Sequence, residues 1–231
     1  ADFKEQLETS LKELGTDYVD VMQFHNLPFC PVPGHESGLY EAMLEAKEKG
    51  KVRHIGITTH KIDLAREAIE SGLYETLQYP FSYLAAPEEV ELVKMCRERN
   101  MGFICMKGMA GGLIRSGRAS YAYISQFDNA LPIWGVQKME EIEEFLSCNT
   151  EDFEQGMTPE IEEIIAADKK ELGGVFCRAG YFQPGAFSAI SEPSGVTSMA
   201  PVPAAVTCPI TSTPSAKISC CFDSGTVNSS S

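Results

Sequence analysis

His25 follows an apolar segment, and an imidazole in that position can exchange a proton near neutral pH. Residues 17–24 (DYVDVMQF) are typical of a strand in a parallel sheet. The loops at the carboxyl ends of such strands assemble the active sites of α/β proteins, so the position of His25 indicates an enzyme. The alternative is that the imidazole only forms a local hydrogen bond where the strand ends.

Four further segments have the pattern of strands, and helices lie between them. Apolar positions at helical spacing predict a helix that ends at Gly15, and a second helix, about residues 39–48, ends before Gly50. The other predicted strands are residues 51–59, 75–78, 102–106 and 130–134, and the other predicted helices are residues 63–70, 88–99, 119–126, 139–146 and 159–172. Strands and helices that alternate every roughly 20 to 30 residues predict a parallel sheet with right-handed crossovers.

The predicted fold class is therefore α/β, and five βα units correspond to an incomplete (β/α)8 barrel of the TIM type. A closed barrel needs roughly 250 residues, whereas only about 145 residues of this chain carry the pattern. We expect residues 1–150 to form this partial barrel and residues 151–187 to form a C-terminal helix with its continuation. Residues 188–231 have a low-complexity composition, rich in Ser, Thr, Pro and Ala, which predicts disorder.

The composition excludes several classes of partner. The chain has 231 residues, of which 43% are hydrophobic and 23% charged, so a sizeable core can be buried. Its net charge of -14 argues against nucleic acids and anionic membranes, since both require a basic surface. No apolar run approaches the roughly 18 residues of a membrane span, and the polar N-terminal residues are unlike a signal peptide. Eight cysteines are too few for a disulfide scaffold, so we expect a cytoplasmic protein.

Several motifs, in this order along the chain, resemble those of the aldo/keto reductase family. They are residues 11–26 (LKELGTDYVDVMQFHN), 49–59 (KGKVRHIGITT), 78–82 (QYPFS), 106–113 (MKGMAGGL) and 127–135 (FDNALPIWG). The last two are similar to motifs of a bacterial subgroup in which a ferredoxin-like segment follows the barrel. Each motif alone is weak, but the ordered set is specific.

The resemblance implies a barrel enzyme that transfers a hydride between a nicotinamide cofactor and the carbonyl or alcohol of a small molecule. His25 matches the family histidine that orients and polarises the substrate carbonyl. The family's proton-donating tyrosine, and the lysine and aspartate that tune it, come from earlier strands and match no residue of this chain. We therefore expect a chain that is shortened at its N-terminus and whose activity is impaired.

The resemblance also implies how the nicotinamide is held. Thr58, Thr59 and Gln78 match the residues that bind its carboxamide, a group that needs both donors and acceptors. Met106 stands where an aromatic residue usually stacks on the ring, and its polarizable thioether can replace part of that contact. The alternatives are that the threonines only reflect strand preference and that Met106 only fills the core.

Two glycine-containing segments match the parts of the family that bind the phosphates of NADP or NAD. In the first segment, glycines let the backbone approach a pyrophosphate and a lysine supplies charge, although such a loop can also be only a turn. In the second, beside the adenosine phosphate, the family's arginine and asparagine correspond to Glu141 and Phe145. Because of that departure, the resemblance does not imply a preference for a 2'-phosphate. The matching residues are Lys107, Gly108, Gly111, Gly135, Val136, Gln137 and Lys138.

A 4Fe-4S cluster is not expected, although residues 174–178 (GVFCR) resemble the start of the subgroup's cysteine cluster. Such a cluster needs closely spaced thiolates, as in C-x2-C-x2-C. Cys177 is followed by no such spacing, and Cys208, Cys220 and Cys221 do not restore it. The sequence therefore predicts no metal site.

Two other functions are compatible with the sequence. A catalytically inactive remnant of the barrel can act as a binding or assembly module, and it would differ from a reductase by failing to bind the cofactor. An iron–sulfur electron carrier is disfavoured by the cysteine spacing. The substrate, the choice between NAD and NADP, and the oligomeric state are left open.

Overall fold

Five parallel strands, each followed by a helix, make up most of the computed structural model, which describes residues 3–149 and 156–172. The helices are α1 (Phe3–Leu14), α2 (Leu39–Glu48), α3 (Ile62–Ser71), α4 (Pro87–Glu98), α5 (Gly117–Ile124), α6 (Met139–Ser147) and α7 (Pro159–Leu172). The strands are β1 (Val19–His25), β2 (Val52–Thr58), β3 (Thr76–Pro80), β4 (Gly102–Met106) and β5 (Ala130–Pro132), and a 3-10 turn spans Ala110–Gly112.

The strands form one sheet in the order β1-β2-β3-β4-β5, and every neighbouring pair is parallel. Sequential strands that neighbour each other across intervening helices are the arrangement of consecutive βα units. The predicted α/β class with five βα units is confirmed. Strand β5 is shorter than predicted and ends at Pro132, a residue without an N–H to donate to a neighbouring strand.

One face of the sheet is apolar and packs against the helices. Because successive side chains of a strand point to opposite faces, alternate residues of β1 to β4 share this face. Apart from Asp20 and Arg53 near the starts of β1 and β2, they lie in one buried cluster with apolar residues of α1, α2, α3 and α4. The residues of this face in the cluster are Met22, Phe24, Ile55, Ile57, Leu77, Tyr79, Phe103 and Cys105.

The opposite face of the sheet is polar and is organised in two layers of residues that are in register across the strands. The lower layer is Gln23, Gly56, Thr76 and Gly102, and the upper layer, one step nearer the carboxyl edge of the sheet, is His25, Thr58, Gln78 and Ile104. Polar residues are unusual on the face of a buried sheet, so we expect the functional site on this side.

Helix α7 packs beside the carboxyl ends of the strands. Ile161 and Ile165 are buried in a second cluster with Tyr83 and Ile114, and the Tyr83 hydroxyl donates to Asp168 Oδ2. The helix predicted for the 151–187 segment is thus part of the packing around the loops that follow β3 and β4. The predictions for Cys177 and for residues 188–231 lie outside the described residues.

No helix in ranges 3–149 and 156–172 is both long and apolar enough to cross a membrane.

Candidate active site

The upper polar layer brings together three of the residues that the sequence predicts to bind ligand. His25, Thr58 and Gln78 are in register across β1, β2 and β3. His25 and Thr58 end their strands, whereas Gln78 is the middle residue of β3. The Thr58 side chain is fully buried, and Gln78 is 6% exposed. An imidazole, a hydroxyl and an amide are therefore held on one face by three adjacent rigid strands, which fixes their relative positions.

A chain of hydrogen bonds across the sheet fixes the amide of Gln78. Gln23 Nε2 donates to Gln78 Oε1 at 2.9 Å, and Gln78 Nε2 lies 3.7 Å from Met106 Sδ, to which it donates. Gln23 can extend past β2 because Gly56 has no side chain, and a Cβ on Gly56 would lie 2.9 Å from Gln23 Cγ. The amino group of Gln78 is thereby turned towards the end of β4.

Four buried side-chain atoms of the described residues have no hydrogen-bond partner, and all four lie on the polar face. They are Gln23 Oε1, His25 Nδ1, Thr58 Oγ1 and Thr76 Oγ1. A buried polar atom without a partner costs about 1–3 kcal/mol, and such atoms are rare in folded proteins. Unpartnered donors and acceptors that cluster in this way are expected on a surface that binds a polar ligand.

The turns after β1 and β4 place positive charge beside this layer. Asn26 and Lys107 directly follow the two strands with φ of 47° and 57°, in the left-handed region that non-glycine residues seldom adopt. His60 Nδ1 lies 3.4 Å from Asn26 Oδ1. Burial, followed by the Lys107 ammonium and the His25 imidazole, lowers the pKa of His60. Lys107 and His25 thus lie close enough to His60 to disfavour its protonation.

Thr59 is fully buried, and its hydroxyl is engaged in a local turn. Its Oγ1 accepts a hydrogen bond from the Lys61 N–H at 3.1 Å, while its own N–H donates to the Gln78 carbonyl at 3.1 Å. This is the common backbone-directed role of a threonine before a helix. Thr59 is thus joined to Gln78 by a backbone hydrogen bond, while its side chain serves the local turn.

A cleft of about 860 Å³ lies beside the carboxyl end of β4, and Met106 joins it to the polar layer. Its walls are the glycine-containing loop after β4 and the segment that follows β5. Seven residues that the sequence predicts to bind cofactor line it: Met106, Lys107, Gly108, Gly111, Gly135, Val136 and Gln137. Lys138 is not among the lining residues, and its N–H donates to Glu141 Oε2 at 3.2 Å.

The glycine loop is shaped by two different requirements. Gly111 and Gly112 have φ of 71° and 93°, which a glycine adopts without strain. Gly108 instead permits close packing, because a Cβ there would lie 2.5 Å from Trp134 Cζ3. The indole of Trp134 stacks in turn on Phe145, with ring centroids 4.3 Å apart and planes 12° from parallel. The aromatic pair therefore links the glycine loop to α6 at the wall of the cleft.

The cysteines of the described residues are packing residues. Cys30, Cys96, Cys105 and Cys148 are buried and unlinked. Burial raises the pKa of the Cys96 and Cys105 thiols to about 12, so both are protonated at neutral pH. Within the described ranges, no group of three or more His, Cys, Asp or Glu side chains is arranged to bind a metal ion.

The sequence profile of the aldo/keto reductase family matches residues 1–127, more than half of the chain. The chain belongs to the aldo/keto reductase family. His25 and the neighbouring ends of β1 and β2 lie within the matched range.

Two characterised members of the family illustrate the similarity. Over 115 residues the chain is 32% identical to the aldo-keto reductase AFTS1 of Alternaria alternata, covering 47% of this chain and 30% of that protein. Over 131 residues it is 27% identical to the NADH-specific methylglyoxal reductase of Escherichia coli K12, covering 57% of this chain and 40% of that protein. The chain thus spans less than half the length of these two relatives.

A solved aldo/keto reductase shares the fold. The holo form of aldo-keto reductase AKR11C1 from Bacillus halodurans superposes with a TM-score of 0.58 at 17% identity, covering 71% of this chain and 66% of that chain. The five βα units therefore have the arrangement of part of an aldo/keto reductase barrel.

Sequence reasoning missed two residues of this candidate site, Gln23 and His60, and one contact between its loops. Gln23 lies two positions before His25, so the alternation of a strand already places it on the same face. His60 directly follows Thr59 at the end of β2. A histidine at that position could have been noted from the sequence, because its side chain can exchange a proton near neutral pH. The contact of Trp134 with Gly108 joins two loops that are distant in sequence, and no local pattern indicates it.

Proposed function

We propose that this chain supplies the cofactor-binding residues and the carbonyl-orienting histidine of an NAD(P)-dependent oxidoreductase that acts on a small-molecule carbonyl. The observation that carries the proposal is the set of unpartnered buried atoms on His25, Thr58 and Gln23. His25 and Thr58 are in register with Gln78, Gln23 donates to it, and Met106 links it to a glycine-lined cleft. A cytoplasmic location, expected from the sequence, belongs to the same proposal.

The polar layer suits the carboxamide of a nicotinamide. Its C=O needs a donor and its NH2 needs an acceptor, and the amide of Gln78 together with the free Thr58 hydroxyl offers both. Met106 supports the proposal, because its side chain is 8% exposed and lies between Gln78 and the cleft, where it can contact the ring. Gln23 acts by holding the Gln78 amide in one orientation.

The cleft suits the phosphate groups of the cofactor. Lys107 supplies a positive charge, and the glycines at 111 and 112, where a Cβ would meet no atom within 4 Å, expose backbone to a ligand. Ser120 Oγ donates to the Gly108 carbonyl at 2.7 Å, so the loop is anchored to α5 while its other side faces the cleft.

His25 is the residue proposed to act on the substrate. Reduced nicotinamide, when bound, supplies a hydride to a carbonyl carbon. An imidazole at the carboxyl end of β1 can donate a hydrogen bond to the carbonyl oxygen, where negative charge develops. The loss of activity expected from the sequence stays a prediction, and cofactor binding is therefore the property to measure.

The test is a titration of the full chain with reduced nicotinamide dinucleotide, followed by energy transfer from Trp134. This is the only tryptophan of the chain, and it lines the cleft. We expect saturable transfer, and about tenfold weaker binding in Gln78→Met, since that substitution removes hydrogen bonds to the carboxamide. Gln126→Met removes an exposed amide that donates to the Tyr123 carbonyl and should bind as the wild type does.

A wild-type chain that is folded by circular dichroism and shows no transfer would contradict the proposal and favour a binding or assembly module. Equal affinities of the wild type and Gln78→Met would contradict the assignment of the polar layer to the nicotinamide.

A further inference from the structure

Three basic side chains at the ends of β1, β2 and β4 have no acidic partner. Burial, followed by the Lys107 ammonium and the His25 imidazole, lowers the pKa of His60, so both groups lie close enough to His60 to act on its charge. Among the described residues, no Asp or Glu forms an ion pair with any of the three, and on the side of His60 itself Lys61 and Asp63 are exposed. Basic groups that are gathered without a counter-charge attract an anion.

The turn after β1 is tied to the end of β2, and this fixes the orientation of His60. The Asn26 N–H donates to the Thr58 carbonyl at 2.8 Å, and Asn26 Oδ1 lies 3.4 Å from His60 Nδ1. Because an amide oxygen only accepts, the contact assigns the proton of the neutral imidazole to Nδ1. Nε2 of His60 forms no hydrogen bond with the described residues and is left for a ligand.

His25 gives a second, independent indication of a ligand at these strand ends. Its Nδ1 is buried and has no hydrogen-bond partner, a condition that is rare in folded proteins unless a ligand or water supplies the partner. His25 ends β1 and His60 follows the end of β2, and neighbouring strands lie only about 4.8 Å apart. One ligand that contacts both imidazoles therefore needs two polar groups close together, as on adjacent carbon atoms.

On the basis of the oxidoreductase site proposed above, we propose that the substrate is a small 2-oxo carboxylate, with its carbonyl oxygen at His25 and its carboxylate between His60 and Lys107. The carboxylate offsets the cationic neighbours of His60, so the imidazole takes up a proton when the substrate binds. Protonated His60 then donates a charge-assisted hydrogen bond from Nε2. A neutral carbonyl compound lacks this contact and binds more weakly.

The test is NMR titration of the full chain with pyruvate and, separately, with pyruvamide, in which a neutral amide replaces the carboxylate. The chain has four histidines, so the His60 imidazole signal is assigned from single substitutions. We expect pyruvate to bind at least about tenfold more tightly than pyruvamide and to move the His60 signal towards its protonated position. The affinity for pyruvate alone should rise as the pH falls towards 5.5, because the complex holds a proton that free His60 lacks.

Two variants separate His60 from the other histidines. His60→Gln keeps a hydrogen-bond donor but carries no charge, so the ratio of the two affinities should fall towards one and its pH dependence should disappear. His54→Gln removes an imidazole at the other end of β2, where His54 Nδ1 lies 2.6 Å from Glu75 Oε2, and should leave the ratio unchanged.

A repeat of the titration with the chain saturated in NAD+, which has no hydride to transfer to pyruvate, separates substrate from cofactor. We expect the His60 signal still to move. A shift that occurs only without the dinucleotide would assign His60 and Lys107 to the cofactor phosphates and overturn the proposal.

Equal affinities for pyruvate and pyruvamide in a chain that binds the dinucleotide would overturn the substrate class and leave the proposed function standing. A folded chain that binds neither dinucleotide nor pyruvate would overturn both.

Discussion

At the scale of a single residue, His60 is placed where protonation is unfavourable. Burial of its imidazole, followed by the nearby Lys107 ammonium and His25 imidazole, lowers its pKa below the ordinary value of 6.5. The folded chain then binds fewer protons at this site than the unfolded chain does. The stability that depends on neutral His60 is therefore complete above pH 6.5 and is lost as the pH falls below it.

We predict that His60→Gln reduces the loss of unfolding free energy between pH 8 and pH 5. The substituted side chain cannot be protonated, so this part of the acid sensitivity disappears. Urea unfolding of both proteins at several pH values measures it. Parallel curves for the variant and the wild type would show that His60 does not contribute.

At the scale of secondary structure, the lower polar layer depends on the two glycines that flank Thr76. A Cβ on Gly56 would lie 2.2 Å from Thr76 Oγ1 and 2.9 Å from Gln23 Cγ. A Cβ on Gly102 would lie 3.5 Å from Thr76 Cγ2, which is ordinary contact. The two strands therefore tolerate a methyl group differently, although both glycines neighbour the same threonine.

We predict that Gly56→Ala lowers the free energy of unfolding by about 1–3 kcal/mol, because the buried threonine and glutamine must shift to admit the methyl group. Gly102→Ala is the matched control and should change it by less than about 0.5 kcal/mol. Chemical denaturation of both variants measures the difference. Equal losses would mean that strand entropy, and not the space beside Thr76, sets the requirement for glycine.

Sequence patterns predicted the elements well where the signal is local. Helix α7 and strand β4 begin and end at the predicted residues, because apolar spacing and the flanking Pro159 and Gly102 mark them clearly. The positions of His25 and Thr58 at strand ends also follow from the pattern, whereas the strand expected to end at Gln78 continues to Pro80. The Gln23–Gln78 hydrogen bond spans two strands and depends on an absent side chain at Gly56, which only the register of the sheet discloses.

At the scale of the whole molecule, one buried hydroxyl ties α7 to the rest of the fold. Tyr83 is fully buried, and its hydroxyl donates to Asp168 Oδ2 of α7. Burial, together with the Asp168 carboxylate, raises the pKa of Tyr83, so it is a neutral donor at all ordinary pH values. This hydrogen bond therefore connects the βα units to α7, the last described helix.

We predict that Tyr83→Phe lowers the free energy of unfolding by about 1.5–3 kcal/mol and speeds amide hydrogen exchange in α7, because a charged acceptor loses its donor. Tyr121→Phe makes the same chemical change at an exposed hydroxyl, 3.4 Å from Asn149 Oδ1, and should cost less than about 0.5 kcal/mol. Exchange that quickens equally in both variants would contradict the role of Tyr83.

The lower polar layer also has an evolutionary consequence. Gly56, Thr76 and Gln23 share one fixed volume, so a mutation that adds atoms at one of the three positions is viable only when another loses them. Among divergent descendants of the same ancestor, a side chain at position 56 should therefore be accompanied by a smaller residue at position 76 or position 23. We expect substitutions at the three positions to occur together, and to accumulate slowly because paired mutations are rare.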